Sequence, residues 1–202
     1  MMPVDTIDKL YQIAETQAGY FTTSQAEAAG VDRSRLSRFV AAGRLQRVRH
    51  GVYRLAHFPH SRHEDLFIAW LQTGPDSIIS HDSALALYDL SDALPSIIHV
   101  TIPRTASRRR HGLQLHTGRI NRDETTNYEG LPVTTVARTI ADVALAGLSV
   151  ELIQQAVWEA MERRLVQPED LVTMAKQRGS HVAQVIDQAI ATCRQRSEAS
   201  VA

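Results

Sequence analysis

DRSRLSRFVAAGRLQRVRHGVYRL, residues Asp32 to Leu55, holds seven arginines (33, 35, 38, 44, 47, 49 and 54) against one acid, Asp32. The whole chain of 202 residues is neutral, with 22 basic and 22 acidic residues, so positive charge is concentrated here. Asp32 suits a helix N-cap and Gly43 a left-handed C-terminal cap. Between them Leu36, Phe39 and Val40 fall at i, i+3 and i+4, the spacing of a buried helical stripe. At about 100° per residue, Ser34, Arg38 and Ala41 then point away from the core. Arg35 and Ser37 flank them, and Arg33 sits at the helix start within reach of a phosphate. Arginine suits bidentate contact with guanine in a major groove, serine is adaptable, and alanine permits close approach.

Working outward, Thr22 or Thr23 caps a short helix, SQAEAAG, that ends at Gly30. Two short helices around a tight turn predict a helix-turn-helix. Val4 to Gln17 has apolar residues at 7, 10, 11, 13 and 14 and predicts a further helix in front. After Gly43, LQRV and VYRL flank RHG, with Gly51 as turn residue, which predicts a β-hairpin and makes the unit a winged helix. Tyr53 and Leu55 share one face of the second strand, with Val52 and Arg54 on the other. Arg47, Arg49, His50 and Arg54 are expected on the wing. The candidate DNA-binding residues are therefore Arg33, Ser34, Arg35, Ser37, Arg38, Arg44, Arg47, Arg49, His50 and Arg54, a basic helix and wing lying along a duplex.

Beyond the wing the pattern turns mixed. His63–Gln72 reads as a helix with one buried face. GPDSIIS reads as a short strand, followed by a helix capped by Ser80. SIIHVTIPR and GLQLHTGRI read as strands. RTASRRRH between them is a basic loop or hairpin tip with Arg104, Arg108, Arg109 and Arg110, a candidate secondary basic patch. Gly130 marks a turn, and a helix follows from about Thr135. From Ser149 the chain is helical, with Pro168 in a first turn and a stop at Gly179. The fold class expected is α+β: residues 1–58 a winged helix-turn-helix, 59–147 a mixed α/β domain, 148–195 a helical C-terminal region, and 196–202 a flexible tail.

Several classes of chemistry are excluded. No apolar run approaches the roughly 20 residues that span a bilayer, and the N-terminus lacks the pattern of a secretory signal. The lone cysteine, Cys193, rules out an internal disulfide and a cysteine-rich zinc site. These features fit a reducing cytoplasm. Ser80, His81 and Asp82 are neighbours in sequence and cannot form a nucleophile–base–orienter relay. His57, His60 and His63 recur at three-residue spacing interrupted by Pro59, unlike the i, i+4 pair of a helical zinc site. No phosphate-cradling glycine motif is present. No catalytic residue, metal or cofactor is expected.

GYFTTSQAEAAGVDRSRLSRFVAAGRLQRVRHGVYRL resembles the N-terminal winged helix of AbiEi-like antitoxins of type IV (abortive infection) toxin–antitoxin systems. The resemblance continues through SHDSALALYDLSDALPSIIHVTIPR and GLPVTTVARTIADVA, and more loosely through residues 148–195. It implies a bacterial antitoxin that binds double-stranded DNA repeats in its own promoter and represses its operon, with a homodimer on DNA as one arrangement. It also implies a toxin of the nucleotidyltransferase type, neutralised with help from the C-terminal part. Some chains with such a front half continue into a nuclease-like domain after a segment similar to RQRSEAS. Here the chain ends at Ala202, and nuclease activity is not expected. Two alternatives stay open: a stand-alone regulator controlled by a ligand or partner, and a non-catalytic scaffold of a nuclease or defence system.

Overall fold

The computed structural model describes residues 4–104 and 112–201, and the side chains of residues 8–104 and 112–196. Tertiary contacts divide the chain into two units. The first runs to Ser77 and includes Asn127–Leu131; the second comprises Ile78–Thr126 and the chain from Pro132 onward.

The first unit begins with α1 (Val4–Glu15), β1 (Tyr20–Thr22) and α2 (Thr23–Ala28). It continues with α3 (Arg33–Ala41), β2 (Leu45–Arg49), β3 (Val52–Leu55) and α4 (Glu64–Thr73). Leu10 and Ala14 of α1, Phe21, Ala26, Val31, Leu36 and Leu45 form one buried cluster, against which Phe39, Val40, Tyr53 and Leu55 pack. Each helix thus contributes its apolar stripe to one small core, the burial that stabilises helices too short to persist alone. The hairpin β2–β3 was legible as alternation. The strand β1 was not, because three residues carry too little periodicity to read. It pairs antiparallel with β3, so the sheet order is β1-β3-β2 and β3 is its central strand. The helix α4, expected in the middle region, packs instead against β1 and β3.

In the second unit, β4 (Ile78–Ile79), α5 (His81–Leu87), β5 (Ile98–Ile102) and β6 (Leu113–Thr117) come first. A short 3₁₀ turn, Arg122–Glu124, leads to β7 (Thr125–Tyr128) and β8 (Leu131–Thr134), whose joining ends, Asn127–Leu131, belong to the first unit. The sheet order is β6-β5-β4-β8-β7. Of the two readings of RTASRRRH, loop or hairpin tip, the hairpin is excluded: β5 and β6 run parallel, with Ile98 opposite Leu113. Residues 105–111, which include the candidates Arg108, Arg109 and Arg110, lie outside the described residues. The sequence showed Gly130 as a turn but not the two strands beside it. Glu129 and Gly130 both have positive φ, 49° and 92°, as a two-residue loop of type I′ requires.

The helices α6 (Val136–Leu145), α7 (Val150–Glu162), α8 (Pro168–Arg178) and α9 (Ser180–Val201) complete this unit. Thr135 and Ser149 cap α6 and α7 by accepting from Arg138 N and Leu152 N. Ile140, Val143, Ile153, Val157, Leu171, Val182 and Ile186 are buried as these helices pack together. The expected tail is helical through Val201, in keeping with a segment without proline or glycine. Three charged side chains, Glu124, Arg138 and Asp142, are buried in the core, and the partly exposed Arg178 joins them. Arg138 Nη1 donates to Glu124 Oε2 at 2.8 Å, and Arg138 Nε to Asp142 Oδ2 at 2.6 Å. Arg178 reaches Glu124 Oε1 at 3.2 Å and Asp142 Oδ1 at 3.1 Å. No described helix is long and apolar enough to cross a membrane.

Candidate nucleic-acid interface

The helix-turn-helix is held by local hydrogen bonds that its sequence specifies. Thr22 caps α2 in a capping box: Gln25 N donates to Thr22 Oγ1 at 3.2 Å, and Thr22 N to Gln25 Oε1 at 2.8 Å. Gly30, at φ +87°, turns the chain, and Val31 N closes the turn on Ala26 O at 2.8 Å. Asp32 Oδ1 then accepts from Arg35 N at 2.8 Å and caps α3. At the far end Arg44 N donates to Phe39 O and Gly43 N to Val40 O, the pair of bonds of a Schellman stop.

The expected facing of α3 is what the structure shows. Leu36 is fully buried and Phe39 and Val40 are partly so, while Arg33, Ser34, Ser37, Arg38 and Ala41 are exposed. The arginines differ in what already holds them. Arg33 Nε donates to Glu27 Oε1 at 3.1 Å. Arg35, half-buried, donates through Nη1 to Gly30 O at 3.1 Å. Arg44 is exposed at the foot of the wing, beside a shallow cleft lined by Tyr11, Ala56 and Phe58.

On the wing, Arg47 and Arg49 lie opposite Tyr53 and Val52, with an irregularity between them that leaves Val48 out of the register. Both arginines and His50 are exposed. Arg47 Nη2 lies 3.2 Å from His50 Nδ1; an arginine can only donate, so His50 Nδ1 carries the lone pair in this arrangement. Thr23, the alternative cap that the sequence offered, is instead the first residue of α2 and bonds to the wing. Its backbone N–H donates to Gly51 O at 2.9 Å and its hydroxyl to the same oxygen at 3.4 Å, tying the wing turn to the first residue of α2.

Arg54 does not lie on the open wing as expected: Val52 and Arg54 share one face of β3, but that face is not open. Arg54 is only 2% exposed. With β1 on one edge and α4 packed on the sheet, the face that a free hairpin would show to water is covered. Arg54 Nη2 donates to Phe58 O at 2.5 Å, and its guanidinium stands 5.8 Å from the centre of the Tyr20 ring. Burial, then the nearby Glu64 carboxylate, pushes the Tyr20 phenol up to about 12.

The remaining candidates fall elsewhere. Arg104 is exposed at the end of the described part of its loop. His60 pairs with Glu64, and His63 lies 3.7 Å from Glu129. Among the described residues no group of three His, Cys, Asp or Glu is placed to hold a metal ion. Ser80 and His81 do meet, which their adjacency in sequence did not suggest: Ser80 Oγ lies 3.0 Å from His81 Nδ1 and accepts from Thr101 Oγ1 at 2.8 Å, whereas Asp82 turns away, its Oδ2 3.1 Å from His99 Nδ1. His81 stacks on His116 with ring centres 3.5 Å apart, a cluster of histidines that strand spacing did not announce. Burial, then the neighbouring His116 and His99, pushes His81 down to about 3.

Comparisons with known proteins agree with this architecture. The fold is similar to that of the RV2827C protein from Mycobacterium tuberculosis in its crystal structure, at a TM-score of 0.57 and 12% identity, over 96% of this chain and 78% of that one. No curated protein matches the sequence. Residues 8–56, from within α1 to just past the wing, match the family described as "Transcriptional regulator, AbiEi antitoxin".

Proposed function

We propose that this protein is a sequence-specific DNA-binding autorepressor of a type IV toxin–antitoxin operon, working in the bacterial cytoplasm without catalysis of its own. The observation that carries the reading is the exposed face of α3, where Arg33, Ser34, Ser37, Arg38 and Ala41 stand in water above a stripe buried by Leu36. In this reading Arg38, Ser34 and Ser37 address base edges, with Arg33 and Arg35 at the helix start and Arg44, Arg47, Arg49 and His50 on the phosphates. Arg54 is not among the contacts, because it is buried. Phosphates held by several arginines make affinity steeply salt-dependent. Repeats upstream of the gene are the proposed operator, bound by two copies, and a nucleotidyltransferase-type toxin is the proposed second partner.

The test is a gel-shift titration at two salt concentrations, comparing DNA from upstream of the gene with a scrambled duplex of equal length. Preference for the upstream DNA supports the repressor. Equal binding reduces the face to a nonspecific basic surface, and absence of binding overturns the proposal. Co-expression with the product of the adjacent gene tests the antitoxin reading: relief of a growth defect supports it, and an unrelieved defect rejects it.

A further inference from the structure

Arg54 needs an explanation of its own. An arginine loses much hydration on burial, and such a residue persists where its donors are used. Its strand β3 is the middle one, with Arg54 opposite Tyr20 of β1 and Gln46 of β2. One donor is taken by the Phe58 carbonyl, three residues past the end of β3, and Phe58 N in turn donates to Leu55 O at 3.2 Å. The planar guanidinium lies near the Tyr20 ring. Its Nε has no partner. At the opposite end of β3, the wing turn is tied to Thr23 through Gly51 O. The strand is therefore held at both ends. The exposed Arg47 and Arg49 take their positions from it, because Tyr53 and Val52 are their partners in the ladder.

We infer that Arg54 is a positioning residue for DNA contact, acting through Arg47 and Arg49 by anchoring the base of the wing while never reaching the duplex itself. This rests on the DNA-binding reading above. Loss of the anchor frees β3 to shift against β1, and the two wing arginines lose their common geometry.

The experiment uses the full chain and fluorescence anisotropy with an upstream duplex across a salt series, each variant first shown to be folded at the assay temperature by circular dichroism. Arg54→Met is expected to lose tenfold or more in affinity. Its slope of log K against log salt should flatten by about 1.8, the value for two phosphate contacts at about 0.9 each. Arg54→Lys, which retains a donor for the Phe58 carbonyl, should restore most of the slope. In an R47A/R49A background, Arg54→Met should change the slope no further. Tyr20→Leu, which removes the ring beside the guanidinium, should lose part of the slope and serves as the test if Arg54→Met does not fold. A slope loss of about 0.9 in both backgrounds would identify Arg54 as a direct phosphate contact and overturn the inference. Wild-type affinity and slope in folded Arg54→Met would overturn it as well, leaving a residue that only stabilises. A wild-type protein that binds no DNA removes the DNA-binding reading and this inference together, a result distinct from either of these.

Discussion

Replacing Arg138 by methionine removes the hub of the buried charge network while roughly keeping its volume. The side chains of Arg138, Glu124 and Asp142 are 7%, 5% and 5% exposed. Without Arg138, two carboxylates stay buried and share only Arg178. Removing one partner of a buried ion pair costs about 3–5 kcal/mol, because the remaining charge keeps its desolvation penalty. For a unit of roughly 100–150 residues that lowers the melting temperature by about 10–20 °C. The sign of the pH dependence follows from Asp142. Burial raises its carboxyl, Arg138 and Arg178 oppose this, and the net direction is upward. A carboxyl raised in the fold binds its proton more tightly folded than unfolded, so its favourable contribution is present at low pH and lost as pH rises through the folded pKa. Loss of Arg138 strengthens that behaviour. The deficit of Arg138→Met relative to wild type should therefore shrink between pH 8 and pH 5. Trp158 lies in α7 of the second unit and Trp70 in the first, so urea unfolding read by Trp158 fluorescence in a Trp70→Phe background isolates the relevant transition. Adding Asp142→Asn should recover part of the loss at pH 8. A deficit below about 1 kcal/mol, or an equal one at both pH values, would refute the reasoning.

Three further outcomes are expected. Arg38→Ala should reduce discrimination between the upstream duplex and single-base variants by roughly 1–3 kcal/mol in competition titrations; unchanged specificity would move the recognition face off Arg38. Arg49→Ala should weaken binding to all duplexes alike and flatten the salt slope by about 1; a selective loss on one sequence would argue for base contact instead. His81, neutral in the fold and held down to about 3, takes up its proton more readily once unfolded. Its contribution to the second unit should fall as pH drops from about 6.5 toward 3, and His81→Asn, which suits its φ of +51°, should show a shallower acid loss in Trp158-detected melts. An acid dependence identical to that of the wild type would remove His81 as its source.

The basic winged helix was legible in the sequence because its signals are local. Capping residues, glycines at positive φ and an i, i+3, i+4 stripe act over a few residues, and they placed Asp32, Leu36, Arg38 and Gly43 without reference to the rest of the chain. What the tertiary structure alone decided were the relations between distant segments. The partner that Arg54 found depended on β1, about thirty residues earlier, and on α4 after it, neither of which alternation within VYRL could reveal. The same holds for β5 and β6, whose apolar runs show two strands but not that they pair in parallel. It holds again for Glu124, Arg138 and Asp142, charges that are buried beside their counter-charges, with the partly exposed Arg178 completing the network. Periodicity reports which face a residue occupies. Whether that face meets water depends on what long-range packing lays against it.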